Sequence, residues 1–294
     1  MIFLNQWSKG QGNLGTYVLT FCTVVLALFV GQFIVEVISN SVLGFSLIAI
    51  PENVNLNLVL SLLMLPFGFA LIALMLCVRY LHKRPVLSFF TARDKFDWKR
   101  FFLAAAIWGG ILVVFLIISI VLGQPIGWNF NARQFFPLLL ISLFLIPIQT
   151  TAEEALFRGY LFQAFGSGVK KGWIAILLTG LLFGLLHVGN PEVAKLGDMI
   201  LVFYISTGIF LGILTHMDDG IELGMGYHAV NNIFGALILT NDWQAFQTNA
   251  LFIDHSEPTF GWDNLLTILL LQPVLLFLFS RIYRWKNWKG KLFK

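Results

Sequence analysis

Glu153 and Glu154 stand side by side in the stretch Ala152 to Gly159, with Arg158 four residues after the second carboxylate. An apolar run from Phe135 to Gln149 leads into them, and Tyr160-Leu161-Phe162 follows. Ionised side chains at bilayer depth are costly unless they are paired or wetted, so adjacent glutamates inside an apolar segment point to a functional site. Two more polar clusters lie in later apolar segments, Phe183 to His187 and His228 to Asn232. Together these residue types look like one catalytic site, with carboxylates and imidazoles for proton transfer.

Helical spacing sorts these residues into roles. Glu154 and Arg158 are i,i+4 neighbours, share a helix face and can pair. A buried arginine requires such a partner. Glu153 is offset by about 100° and is free to face a reacting group. His228 and Asn232 also share a face by i,i+4 spacing, whereas Asn231 is turned away from it.

The elements that must position these groups are transmembrane helices. The chain has 294 residues, of which 58% are hydrophobic and 12% charged, and it contains 30 Phe. Soluble domains carry about 25% charged residues. Apolar runs of about 17–25 residues without period-2 alternation predict helices rather than barrel strands. The reading is an all-α polytopic transmembrane helical bundle of about eight spans, near 16–38, 56–80, 101–122, 135–162, 172–188, 198–216, 223–240 and 264–284. The first is too long for a cleavable signal core and is expected to stay in the membrane. Pro137 and Pro147 predict a kink or tilt in the fourth span. Gly180 and Gly184, with Gly208 and Gly212, predict close approach of the fifth and sixth spans. Cys22 and Cys77 fall in apolar segments and are expected to be inert core thiols.

Basic residues cluster in the 79–100 connection, at Lys170 and Lys171, and in the tail from Arg281 to Lys294, whereas Arg133 and Lys195 fall on the other side. The positive-inside rule then places both termini in the cytosol. The formal charge of +4 is explained by topology and anionic lipid, with no nucleic-acid partner required. The connection 241–263 is rich in aromatic residues and is expected to lie at the interface or to cover the site.

The order Glu153-Glu154-x-x-x-Arg158, then Phe183-x-x-x-His187, then His228-x-x-x-Asn232, on separate apolar helices, resembles the CAAX-protease and bacteriocin-processing (Abi) family of intramembrane proteases, which includes the type II CAAX prenyl endopeptidases. The resemblance spans about residues 135–240, between N-terminal helices 1–134 without a recognised motif and a segment 241–294 that holds a loop, the last helix and the basic tail. It implies a membrane-embedded endopeptidase. In it Glu153 is the general base, Glu154, His187, His228 and Asn232 complete the catalytic set, and Arg158 and Phe183 support it. Glu153, His187 and His228 are alternatively ligands of a divalent metal such as zinc, although no His-Glu-x-x-His helix signals one. The expected partners are the bilayer and a protein or peptide substrate, prenylated or leader-bearing. The expected location is a multi-pass position in a bacterial plasma membrane. A proton-coupled transporter, or a non-catalytic membrane scaffold or regulator, would use some of the same residues. The transporter would string polar groups across the bilayer, and the scaffold would tolerate loss of Glu153 and His187.

Overall fold

The computed structural model describes residues 3–51, 53–169 and 171–293. Lys170 and Lys294, both counted above among the basic residues, lie outside the described residues. Asn and Asp side chains open the first four long helices by accepting a backbone N–H of the first turn. They are Asn13 before α1 (Leu14–Ile38), Asn55 before α2 (Leu56–Leu76), Asp97 before α3 (Trp98–Val121) and Asn131 before α4 (Ala132–Glu154). Such caps satisfy donors that the helix itself cannot, and they set where each span begins. The chain continues through a π-helical segment, Ala155–Leu161, into α5 (Phe162–Val169), then α6 (Gly172–Leu186), the short α7 (Pro191–Leu196), α8 (Met199–Asp218) and α9 (Glu222–Ile233). It closes with α10 (Trp262–Leu266), α11 (Gln272–Ile282) and α12 (Trp288–Phe293).

Among the described residues seven helical stretches are long and apolar enough to cross a bilayer. The expected eighth span corresponds to α9 with its π-helical continuation Phe234–Ile238, which is not among these seven. It is shorter than the expected 223–240, and Glu222 to Ala229 are all buried within the bundle. This integral multi-pass architecture leaves large side chains such as Phe29, Phe33, Phe144 and Phe277 exposed on its outer surface. Cys77 is buried as expected, but Cys22 sits on that outer surface rather than in the core.

Small residues draw α6 and α8 together. A Cβ added at Gly208 would lie 2.7 Å from the Gly180 carbonyl oxygen, and one at Gly180 would lie 2.7 Å from Ile209 Cγ1. The expected close approach of these two helices is therefore present. Helix α4 runs unbroken through Pro137 and Pro147, and the irregularity comes later, in the π-helical turn that starts one residue after Glu154. A π turn adds a residue to the helix and re-aims the side chains beyond it.

The two ends of the bundle differ in chemistry. At one end the 79–100 connection, the α8–α9 turn and both ends of the chain come together. Phe3 N donates to Asp219 Oδ1 at 3.2 Å, and Lys291 Nζ lies 2.7 Å from Asp219 Oδ2. Arg93 and Arg100 pair with Asp218, and Arg93 also pairs with Glu222. Arg84 is buried and donates to Gln163 Oε1. Several cations that read as free topology signals are therefore structural. At the other end three short strands form a sheet in the order β1 (Ile126–Trp128), β3 (Phe252–Asp254), β2 (Leu239–Thr240). Strands β1 and β3 are antiparallel with Gly127 opposite Ile253, and β2 joins parallel with Thr240 opposite Ile253. The aromatic 241–263 connection is thus stitched to the α3–α4 loop by backbone hydrogen bonds, a feature absent from an all-helical expectation.

Candidate active site

The three sequence clusters converge. Glu154, the last residue of α4, is buried, and its Oε1 accepts from Arg158 Nη1 at 2.9 Å and from His228 Nδ1 of α9 at 2.9 Å. Arg158 is buried one turn on. Its Nη2 donates to the Gly208 carbonyl at 3.2 Å, and its guanidinium lies 4.1 Å from the centre of the Phe183 ring. The arginine therefore has a carboxylate, a carbonyl and an aromatic face as partners, which offsets the cost of removing it from water. Phe183 is the hub of this packing, meeting Phe157, His187 and His228 edge-on or tilted.

Glu153 is separated from this pair, as its angular offset requires. Its Oε2 stands 3.5 Å from His228 Nε2 and is a buried oxygen without a hydrogen-bond partner among the described residues. Asn232, one turn beyond His228 on α9, places Nδ2 at 3.5 Å from the same Nε2 and donates to Gln149 Oε1 at 3.1 Å. Asn231 turns away from the histidines and accepts from Trp108 Nε1 at 3.1 Å, although its own Nδ2 also touches Asn232 Oδ1.

His187 follows the last residue of α6, where Gly189, Asn190 and Pro191 stop the helix. Its Nδ1 is 2.7 Å from the Phe183 carbonyl, and its ring stacks on Tyr204 with centroids 4.1 Å apart. A carbonyl can only accept, so Nδ1 carries the proton and Nε2 of the neutral ring is left as an acceptor. The corresponding logic at His228 puts its proton on Nδ1, toward Glu154. His187 is also within electrostatic range of both Glu153 and His228.

Counting helical rise inward from the 163–171 connection would set Glu153 deeper than His228. The helical stretch Ala132–Gly166 has 35 residues, a length of about 52 Å, well beyond the roughly 30 Å of a hydrocarbon core. Its last turns pack against the N-terminal turn Leu4–Lys9, and a stretch of this length cannot lie wholly within the hydrocarbon core, so a count from its end overstates the depth of Glu153.

Three contributors were not singled out from the sequence. Gln149 holds Asn232, Tyr204 holds the His187 ring, and the Gly208 carbonyl takes Arg158. Gln149 had a signal, since it is a carboxamide in an apolar run one helical turn before Glu153. Tyr204 and Gly208 had none, because stacking and backbone acceptance leave no mark on residue type.

The two histidines of the alternative metal set with Glu153, His187 and His228, engage Nδ1 with a carbonyl and a carboxylate, which leaves each Nε2 open. Among the described residues no three His, Cys, Asp or Glu side chains form a metal-holding group.

The fold and this constellation define an integral membrane protein with a polar, hydrogen-bonded site enclosed by its helices. Residues 132–234 match the family described as type II CAAX prenyl endopeptidase Rce1-like. The chain is also 35% identical over 175 residues to "Uncharacterized protein YyaK" of Bacillus subtilis (strain 168), a match covering 58% of this chain. The chain thus spans 58% of the length of that relative. No solved structure matches it.

Proposed function

We propose that this chain is an intramembrane endopeptidase that hydrolyses a peptide bond of a membrane-associated protein or peptide. The observation that carries the reading is the division of the two carboxylates. Glu154 is held through Oε1 by both Arg158 and His228, with its Oε2 buried and without a partner, while the Glu153 side chain has no hydrogen bond among the described residues and its buried Oε2 stands 3.5 Å from His228 Nε2.

In this reading Glu153 takes a proton from a water molecule, and the hydroxide attacks the carbonyl carbon of the scissile bond. His187 orients the water through its unprotonated Nε2. The amide of Asn232, tied by Gln149, donates to the developing oxyanion. His228, held in the Nδ1–H tautomer by Glu154, lines the same space and presents an unprotonated Nε2 that can accept a hydrogen bond from the water. The C–N bond then breaks, and the leaving amine takes the proton from the Glu153 carboxyl. No step requires a metal. The polar groups gather at one depth instead of forming a string across the bilayer, which favours hydrolysis over proton-coupled transport.

The substrate class we assign is a peptide segment presented from the bilayer, a prenylated tail or a leader-bearing precursor. We place the protein in a bacterial plasma membrane with both termini cytosolic, on the strength of its basic end. Substitution tests the reading. Glu153→Gln in reconstituted protein is expected to lower cleavage of a membrane-tethered peptide by about 100- to 10,000-fold with the helical content and thermal transition unchanged. Full cleavage by a folded Glu153→Gln protein would overturn it.

A further inference from the structure

A second site lies at the basic end of the bundle, remote from the glutamates. The chain leaves α11 through Arg284 and Asn287, both in the left-handed region with φ of 53° and 55°, and folds back into α12. Three contacts besides the ion pair with Asp219 hold the returning segment against the bundle. Trp285 Nε1 donates to Asp218 Oδ1 at 3.0 Å, Lys291 Nζ donates to the Met217 carbonyl at 3.1 Å, and His216 Nε2 donates to the Lys291 carbonyl at 2.6 Å. Between α11 and this segment lies an open groove of about 800 Å³. Pro273, Leu276 and Phe277 form its apolar wall, and Arg281, Arg284 and Lys286 its cationic rim. No acidic side chain lines it, and among the described residues none of the three cations is in an ion pair.

We propose that this groove binds one anionic phospholipid, with its phosphate against Arg281, Arg284 and Lys286 and one acyl chain along Leu276 and Phe277. Charge complementarity selects the head, since each cation beside a membrane surface contributes an attraction for anionic lipid. The apolar wall selects a lipid over a soluble anion. Phe277 is exposed on the outer face of α11, so the wall is continuous with the surface that meets acyl chains. Trp285 and Trp288, 5.8 Å apart between ring centres, sit where interfacial aromatic side chains belong. Because α12 and Trp285 also grip the α8–α9 turn, an occupied groove would clamp the end of the bundle from which α9 carries His228 and Asn232 inward.

The experiment uses the full chain purified in mild detergent and exposed to phosphatidylglycerol or phosphatidylcholine, with retained lipid counted by native mass spectrometry and stability followed by thermal unfolding. Phosphatidylglycerol is expected to be retained at one molecule per chain, with a preference over phosphatidylcholine of at least about tenfold that weakens as salt is raised. Arg281→Gln/Arg284→Gln/Lys286→Gln is expected to bring the preference to near parity, whereas Lys95→Gln/Lys99→Gln, which neutralises exposed lysines at the same end, leaves it unchanged. Should the triple variant fail to fold, Arg281→Gln alone is expected to reduce the preference severalfold. Equal preference in wild type and the rim variants would overturn the proposal. So would an equal thermal shift from inorganic phosphate alone, or protein that dimerises through this groove and excludes lipid.

Discussion

His228 Nδ1 and Glu154 Oε1 are 2.9 Å apart, and the same oxygen accepts from Arg158 Nη1 at 2.9 Å. One buried carboxylate oxygen thus joins the π-helical turn after α4 to α9. It fixes the histidine tautomer and neutralises the arginine in a single contact. In the proposed mechanism Glu154 therefore acts through its neighbours, and the adjacent glutamate is the group that meets the reactant.

Breaking that contact from the arginine side should be a stability lesion. Arg158→Ala leaves the Glu154 carboxylate buried with one donor fewer, and loss of one partner of a buried pair costs about 3–5 kcal/mol. Pairing the change with Glu154→Gln removes both charges, so the double variant should unfold at a higher temperature than the sum of the two single losses predicts. Additive losses in thermal unfolding would mean the two side chains do not depend on each other.

Asn232 and Gln149 should separate in kinetics. Asn232→Ala removes the proposed oxyanion donor and is expected to lower kcat by about 100-fold or more with little change in KM. Gln149→Leu keeps that amide but frees its orientation, so a loss of about tenfold in kcat is expected. A larger effect from Gln149→Leu than from Asn232→Ala would reverse the assignment of the two carboxamides.

The reach of the sequence can be stated from these same residues. Glu154–Arg158 and His228–Asn232 were legible because i,i+4 spacing is a local property of any helix. The close packing of α6 and α8 was legible because glycine spacing encodes how near two backbones can come. What could not be read was how one helix faces another. Nothing local says that His228 takes Glu154 rather than Glu153, or that Tyr204 lies flat on His187. The π turn beside the site was not legible either, since a membrane helix can run on through Pro147 when its neighbours satisfy the freed carbonyls. The small sheet was hidden because strands of two or three residues have no periodicity to detect.

Chelation is expected to leave the reaction intact. The proposed scheme routes no step through a metal, and among the described residues no three potential ligands gather as a metal group. Cleavage by protein incubated with a strong chelator and then desalted should match untreated protein within about twofold, against the loss of many orders of magnitude expected when a metal that generates the nucleophile is removed. Lost activity restored by zinc alone would replace the glutamate-only scheme with a metal-dependent one.

His82 supplies a pH test outside the proposed catalytic groups. It follows the second span, is buried, and places Nε2 2.8 Å from the Tyr160 hydroxyl and 3.1 Å from Thr20 Oγ1, while Nδ1 donates to the Gln11 carbonyl at 3.0 Å. Burial, reinforced by the charge of Arg84 and partly countered by the Gln11 carbonyl, holds its pKa below the ordinary 6.5. The unfolded chain therefore takes up this proton first as the solution is acidified. The stabilisation is complete above pH 6.5 and is lost as pH falls from there through the lower folded-state value. The unfolding temperature of the wild type should drop between pH 7.5 and pH 5.5 by more than that of His82→Gln, whose side chain cannot titrate. Equal slopes for the two proteins would remove His82 from the acid sensitivity of the fold.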